Sequence, residues 1–98
     1  MELYDIVESV SSLLKEGHLV LNRSMKVHSK FAVYKVFIYT LYYVNNNDNT
    51  ILLNKEYMYN TPSEETNIKW GETDKKFLKE LLIFLLSNKF KEQLKDGI

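Results

Sequence analysis

The chain contains no cysteine, so disulfides, thiolate metal sites and cysteine nucleophiles are excluded together. That composition suits a reducing compartment, and a cytoplasmic location is the expectation. Glycine occurs only at Gly17, Gly71 and Gly97, too scattered to form a glycine-rich phosphate loop. The only histidines are His18 and His28, with no carboxylate near either at metal-ligand spacing, so no metal site is expected. No serine sits in a nucleophile elbow, and no cofactor signature is present. No apolar run approaches the ~20 residues of a membrane-spanning helix. The longest candidate, FAVYKVFIYTLYYV from Phe31 to Val44, is interrupted by Lys35. The first residues, MELYDIVESV, are acidic and amphipathic, unlike the basic, apolar opening of a signal peptide. Neither an enzyme nor a membrane protein is therefore expected.

Net charge is also lacking: 13 basic and 13 acidic residues cancel. No global attraction to nucleic acid or anionic lipid follows from such a balance. The charges are segregated, however. Between Lys15 and Thr40 the bases Lys15, Arg23, Lys26, Lys30 and Lys35 face only Glu16, whereas the stretch from Asp48 to Asp74 is acidic.

What is present is apolar patterning over a length of 98 residues, which fits one domain over residues 1–98 with its own core. Leu3, Ile6, Val7, Val10, Leu13 and Leu14 recur at helical spacing, with Glu2, Asp5 and Glu8 suited to a helix start and Gly17 to its stop. A helix over about residues 2–16 is predicted. His18 to Arg23 alternates as a short strand, and Ser24 to Lys30 reads as a loop or irregular strand. Residues 31–44 are β-branched and aromatic on both faces and predict a strand. At ~3.3 Å per residue that strand is long enough to require a bend, a bulge or an end before Tyr43. NNNDN (Asn45 to Asn49) is a turn by composition, and TILLNKEYMYN after it alternates as a strand paired back in a hairpin.

Thr61-Pro62-Ser63-Glu64 has the form of a capping box and predicts one helical turn. Asn67 to Trp70 reads as a brief strand. Asp74 is placed to cap a last, long helix carrying Phe77, Leu78, Leu81, Leu82, Leu85, Leu86, Phe90 and Leu94, with Ser87-Asn88 kinking or dividing it. The expectation is a two-layer α+β fold: an N-terminal helix, an antiparallel sheet of three to four strands with a long hairpin, and a long C-terminal helix. One face of the long strand lies under the helices; the other needs a partner or stands in solvent.

Two surfaces are candidates for binding. Tyr42, Tyr57, Met58, Tyr59 and Trp70 fall on the hairpin and the segment after it, and such residues are enriched where proteins grip proteins. Their alternative use is core, with the odd-numbered tyrosines under the helices and Trp70 sealing an edge. A protein-interaction module, a regulator, inhibitor or accessory protein that binds a protein partner or itself, is the first functional expectation.

The second candidate is the start of the last helix, where Lys75, Lys76 and Lys79 meet free backbone N–H groups, a ready phosphate site. Glu72, Asp74 and Glu80 are close enough in sequence to neutralise them instead. DKKFLKELLIFL and VHSKF, within the order helix, strands, helix, loosely resemble a double-stranded RNA-binding domain, whose second helix opens on a lysine cluster. That resemblance implies backbone binding by Lys75, Lys76 and Lys79, and the runner-up reading adds Arg23, Lys26 and Lys30. Large residues such as Phe84 stand where that family has small ones, and the net charge is zero rather than basic.

Overall fold

The computed structural model describes residues 2–12, 18–29, 33–46 and 48–95. Helix α1 (Leu3–Ser11) is followed by strands β1 (His18–Ser29), β2 (Val33–Asn45) and β3 (Asp48–Tyr59). A 3-10 turn (Ser63–Glu65) then leads into α2 (Thr66–Leu85), and α3 (Asn88–Lys95) ends the described chain. The strands form one antiparallel sheet in the order β1-β2-β3, and the helices lie on one side of it. The result is the expected α+β arrangement with three strands; a fourth does not occur among the described residues. The shape, 46 × 28 × 20 Å, is that of a slab elongated along its strands.

Helix α1 buries Leu3, Ile6 and Val7, the stripe that its spacing predicts. Leu13, Leu14 and the stop at Gly17 lie outside the described residues. Strand β2 is central and supplies the floor of the core: Phe37, Tyr39 and Leu41 are wholly buried and Tyr43 nearly so. Above them α2 presents Thr73, Phe77, Leu81 and Phe84, one face of a helix at steps of three and four. Tyr39 stacks on Phe77 with centroids 4.7 Å apart, and Phe37 meets the edge of Trp70 at 4.7 Å. Each such buried side chain contributes about 1.5–3 kcal/mol by leaving water.

One open alternative is decided and three local expectations are corrected. Ser24 to Ser29 is not a loop; it continues β1, with Ser24 paired to Ile38 and Ser29 to Val33. Polar Ser24, Lys26 and His28 all stand on the side away from the helices, so a strand that is polar on one face looks like a loop in sequence. Lys30 and Phe31, at the turn into β2, lie outside the described residues. Asn67 to Trp70 is helical, because Trp70 extends the buried face of α2 one turn backwards from Thr73. Asp74 consequently caps nothing; it lies inside α2 and pairs with Arg23 on β1. Helical geometry does follow Pro62, with the Glu65 N–H donating to the Pro62 carbonyl at 3.0 Å. The Thr61 side chain, however, is buried with no hydrogen-bond partner rather than capping.

The length of β2 is accommodated on its neighbour. Leu41 pairs with Leu53 and Tyr42 with Ile51, which leaves Leu52 as the extra residue of a β-bulge. Strict alternation on β3 therefore breaks there: Leu52 is buried and Ile51 exposed. Asn45 pairs with Asp48 to close the hairpin, and Asn46 holds a φ of 49°, a left-handed conformation that asparagine tolerates. At the other end, Ser87 divides α2 from α3 as its hydroxyl accepts the Phe90 N–H at 3.2 Å. Phe90 packs on Phe84, centroids 5.4 Å apart. The side chain of Leu94 lies outside the described residues.

Candidate functional site

The register sorts the hairpin aromatics onto two faces. Tyr57 and Tyr59 share the helix side with Tyr39 and Phe37, to which they pair edge-on at 5.9 Å each. Trp70 descends onto the same side from α2. These three are partly buried against the core. Tyr42 and Met58 point the other way. The five candidate protein-binding residues are thus not one surface, and only Tyr42 and Met58 are left on the side that no helix covers.

That open side is built from alternate residues of all three strands. Rows across it read Lys26, Val36, Met58; then Ser24, Ile38, Glu56; then Asn22, Thr40, Asn54; then Val20, Tyr42, Ile51. Tyr34 and His28 extend it at one end. Four of its apolar members are well exposed, Val20 by 41%, Tyr34 by 40%, Ile51 by 58% and Met58 by 64%, whereas Ile38 and Tyr42 are half-buried and Val36 is buried. The centre is polar, where the Thr40 hydroxyl donates to the Asn54 side-chain oxygen at 2.8 Å. None of the described elements packs on this face. Sequence reading did not name Val20, Tyr34, Ile38 and Ile51 as its members; the first three face it by plain alternation, and Ile51 does so because of the bulge at Leu52.

On the helix side, a polar cluster joins the two layers at Asp74. Arg23 donates two hydrogen bonds to the Asp74 carboxylate, each 2.9 Å, and lays its guanidinium 3.9 Å over the Trp70 ring. The Tyr39 hydroxyl donates to the same carboxylate and lies 2.8 Å from the Thr73 hydroxyl. Burial, and then the Asp74 charge, push Tyr39 far above the usual tyrosine range. Burial works against the Arg23 charge, but the hydrogen bonds and charge of Asp74, together with Tyr39, outweigh it and hold that group above its ordinary value. Every charged group in the cluster is matched to another, so it fastens α2 to the sheet.

The candidate phosphate site loses its premise. Helix α2 begins at Thr66, so Lys75, Lys76 and Lys79 lie in mid-helix, where backbone N–H groups are already paired. Lys76 donates to the Tyr59 hydroxyl at 2.6 Å and, like Lys69, lies over the Tyr59 ring. Arg23 is engaged by Asp74, Lys26 stands on the opposite side of the sheet, and Lys30 lies outside the described residues. The five described bases do not converge on one surface. A cleft of about 250 Å³ opens between α1 and α2, lined by Glu2, Leu3, Gly71, Asp74, Lys75 and Leu78. No group of three metal-ligating side chains occurs among the described residues, and none of the described helices is long and apolar enough to cross a membrane.

Comparison with protein-family models, with curated proteins and with solved structures finds no match to this chain.

Proposed function

We propose that this chain is a small, non-enzymatic protein-interaction module, a regulator, inhibitor or accessory protein, that binds through the open face of its sheet. The observation that carries the reading is the pairing of one covered and one uncovered face on a three-stranded sheet. The uncovered face displays Tyr34, Ile38, Tyr42, Ile51 and Met58 together, with half-polar neighbours around them. Exposed apolar residues gathered on one face, in two groups either side of the polar Thr40 row, distinguish a binding surface from singly scattered side chains. The polar cluster supports a binding rather than a catalytic role, because Asp74, Arg23 and Tyr39 satisfy one another and leave no group free for proton transfer.

Photo-crosslinking in cells that express the full chain tests this. Benzoylphenylalanine introduced at Met58, on the open face, is expected to form protein crosslinks. The same probe at Ile68, equally exposed on α2, serves as the control and is expected to form few. Crosslinks from Ile68 alone, or from neither position, would remove the open face as the binding surface.

A further inference from the structure

We infer that the occupant of the open face is a second copy of this chain, packed sheet on sheet about a twofold axis that runs along β2. This rests on the open face being the binding surface.

The argument comes from how residues are distributed across the rows. A half turn about an axis along β2 keeps each row at its own level and lays β1 of one copy over β3 of the other. Val20 then meets Ile51, an apolar pair, at both ends of the exchange. Asn22 meets Asn54, Ser24 meets Glu56, and Lys26 lies over Met58 one row from Glu56. The exposed cation of β1 is thereby brought to the exposed carboxylate of β3, twice, by symmetry. The other possible in-plane axis, across the strands through Thr40, lays β1 over β1 and β3 over β3. It would press Glu56 onto Ile51 with no cation in reach, an unpaired charge against apolar surface. Aligned sheets keep their strand directions within about 30° of each other, as this axis does, and the long Lys26 side chain spans the one-row offset to Glu56.

The area is sufficient for a weak but specific dimer. Strands of twelve residues at about 3.3 Å, three abreast at about 4.8 Å, give a face of roughly 40 × 14 Å. At full overlap, counted on both copies, that is about 1,100 Å², close to the ~1,000 Å² expected of a biological contact. A dissociation constant in the micromolar range is therefore expected.

Sedimentation equilibrium from about 1 µM to 1 mM, with circular dichroism to confirm folding, provides the test. The wild-type chain is expected to pass from monomer to dimer over this range. Lys26→Glu alone and Glu56→Lys alone are each expected to weaken dimerisation about tenfold, because each sets like charges face to face twice. An equimolar mixture of the two variants restores opposite charges at both contacts and is expected to recover association. A wild-type chain that stays monomeric overturns the inference, as does a dimer indifferent to both substitutions, or one that the mixture fails to restore. The crosslinking probe at Met58 separates the two levels of failure. Crosslinks to a different protein, with the wild type monomeric, sink the second-copy inference and leave the open-face reading standing. No crosslinks at all, with a dimer indifferent to Lys26 and Glu56, sink both.

Discussion

The two faces of the same sheet are made of similar residue types and behave oppositely. Tyr39 and Tyr42 are three positions apart on β2; the first is wholly buried beneath α2 and the second lies on the open side. On the helix side, aromatic rings meet at centroid distances of 4.7–6.1 Å and the partly buried Arg23–Asp74 pair is internally matched. On the open side, apolar residues alternate with Asn, Ser and Lys, and the central strand is shielded chiefly by its neighbours' side chains. The difference teaches that β-propensity alone is blind to purpose: what decides the role of a tyrosine here is strand parity and the layer above it.

Substitution should expose the contrast most strongly in stability. Phe77→Ala removes a wholly buried ring and is expected to cost about 3–5 kcal/mol in unfolding free energy. Met58→Ser, on the open side, is expected to change stability by no more than about 0.5 kcal/mol when measured on dilute monomer. Urea denaturation of both variants checks this. A loss of more than 2 kcal/mol at Met58 would mean that the open face is covered within the chain itself.

Much of this fold was legible in sequence because it rests on periodicity. The α1 stripe, the β2–β3 hairpin and the Phe77 and Leu81 positions of α2 could be read from spacing, whereas Phe84, left off that stripe, is buried and Leu82 and Leu86, placed on it, are exposed. The errors share a cause, in that local chemistry was outvoted by tertiary partners. Asp74 has the form of a helix cap, yet Arg23, 51 residues away in sequence, claims its carboxylate. Ser24 to Ser29 lacks an apolar face on its open side and so hides its strand character. The candidate site was half legible. Tyr42 and Met58 were named, but the bulge at Leu52 shifts parity, so that Ile51 leaves the side of Leu53 and Tyr57 and joins them. Nothing in a single sequence announces such a shift. The three lysines of α2 were misplaced for a related reason, since a helix start inferred at Asp74 was in truth mid-helix.

A second, smaller effect sharpens the contrast through pH. Tyr39 is held neutral in the folded protein by burial and by Asp74, so its ionisation is raised far above that of an unfolded tyrosine, about 10. Above pH 10 the unfolded chain gives up that proton while the folded chain keeps it. Stability from this source is therefore fully present below about pH 10 and falls as pH rises further. The expected slope is up to about 1.4 kcal/mol per pH unit for this one group. Tyr39→Phe should lower stability at neutral pH by about 1–2 kcal/mol through loss of the bond to Asp74, and make the alkaline decline shallower by one proton. Equal slopes for wild type and Tyr39→Phe would show that the Tyr39 proton is not held by the fold.

The smallest expected effect is a gain, and it bears on the seam where the sheet hands over to α2. The Thr61 hydroxyl is wholly buried with no hydrogen-bond partner, although the surrounding sequence has the form of a capping box. A buried hydroxyl left unmatched costs about 1–3 kcal/mol, because it has surrendered water and received nothing in return. Thr61→Val keeps the branched shape and removes the hydroxyl, so stability should rise by about 1 kcal/mol, read as a shift of the urea midpoint at unchanged slope. A fall of similar size would mean that the hydroxyl is in fact bonded, and that Thr61 caps the turn at Ser63–Glu65 after all. The same variant then reports which of two forces sets the start of α2: the local cap that the sequence displays, or the pull of Trp70 and Thr73 into the core that lengthens the helix toward it.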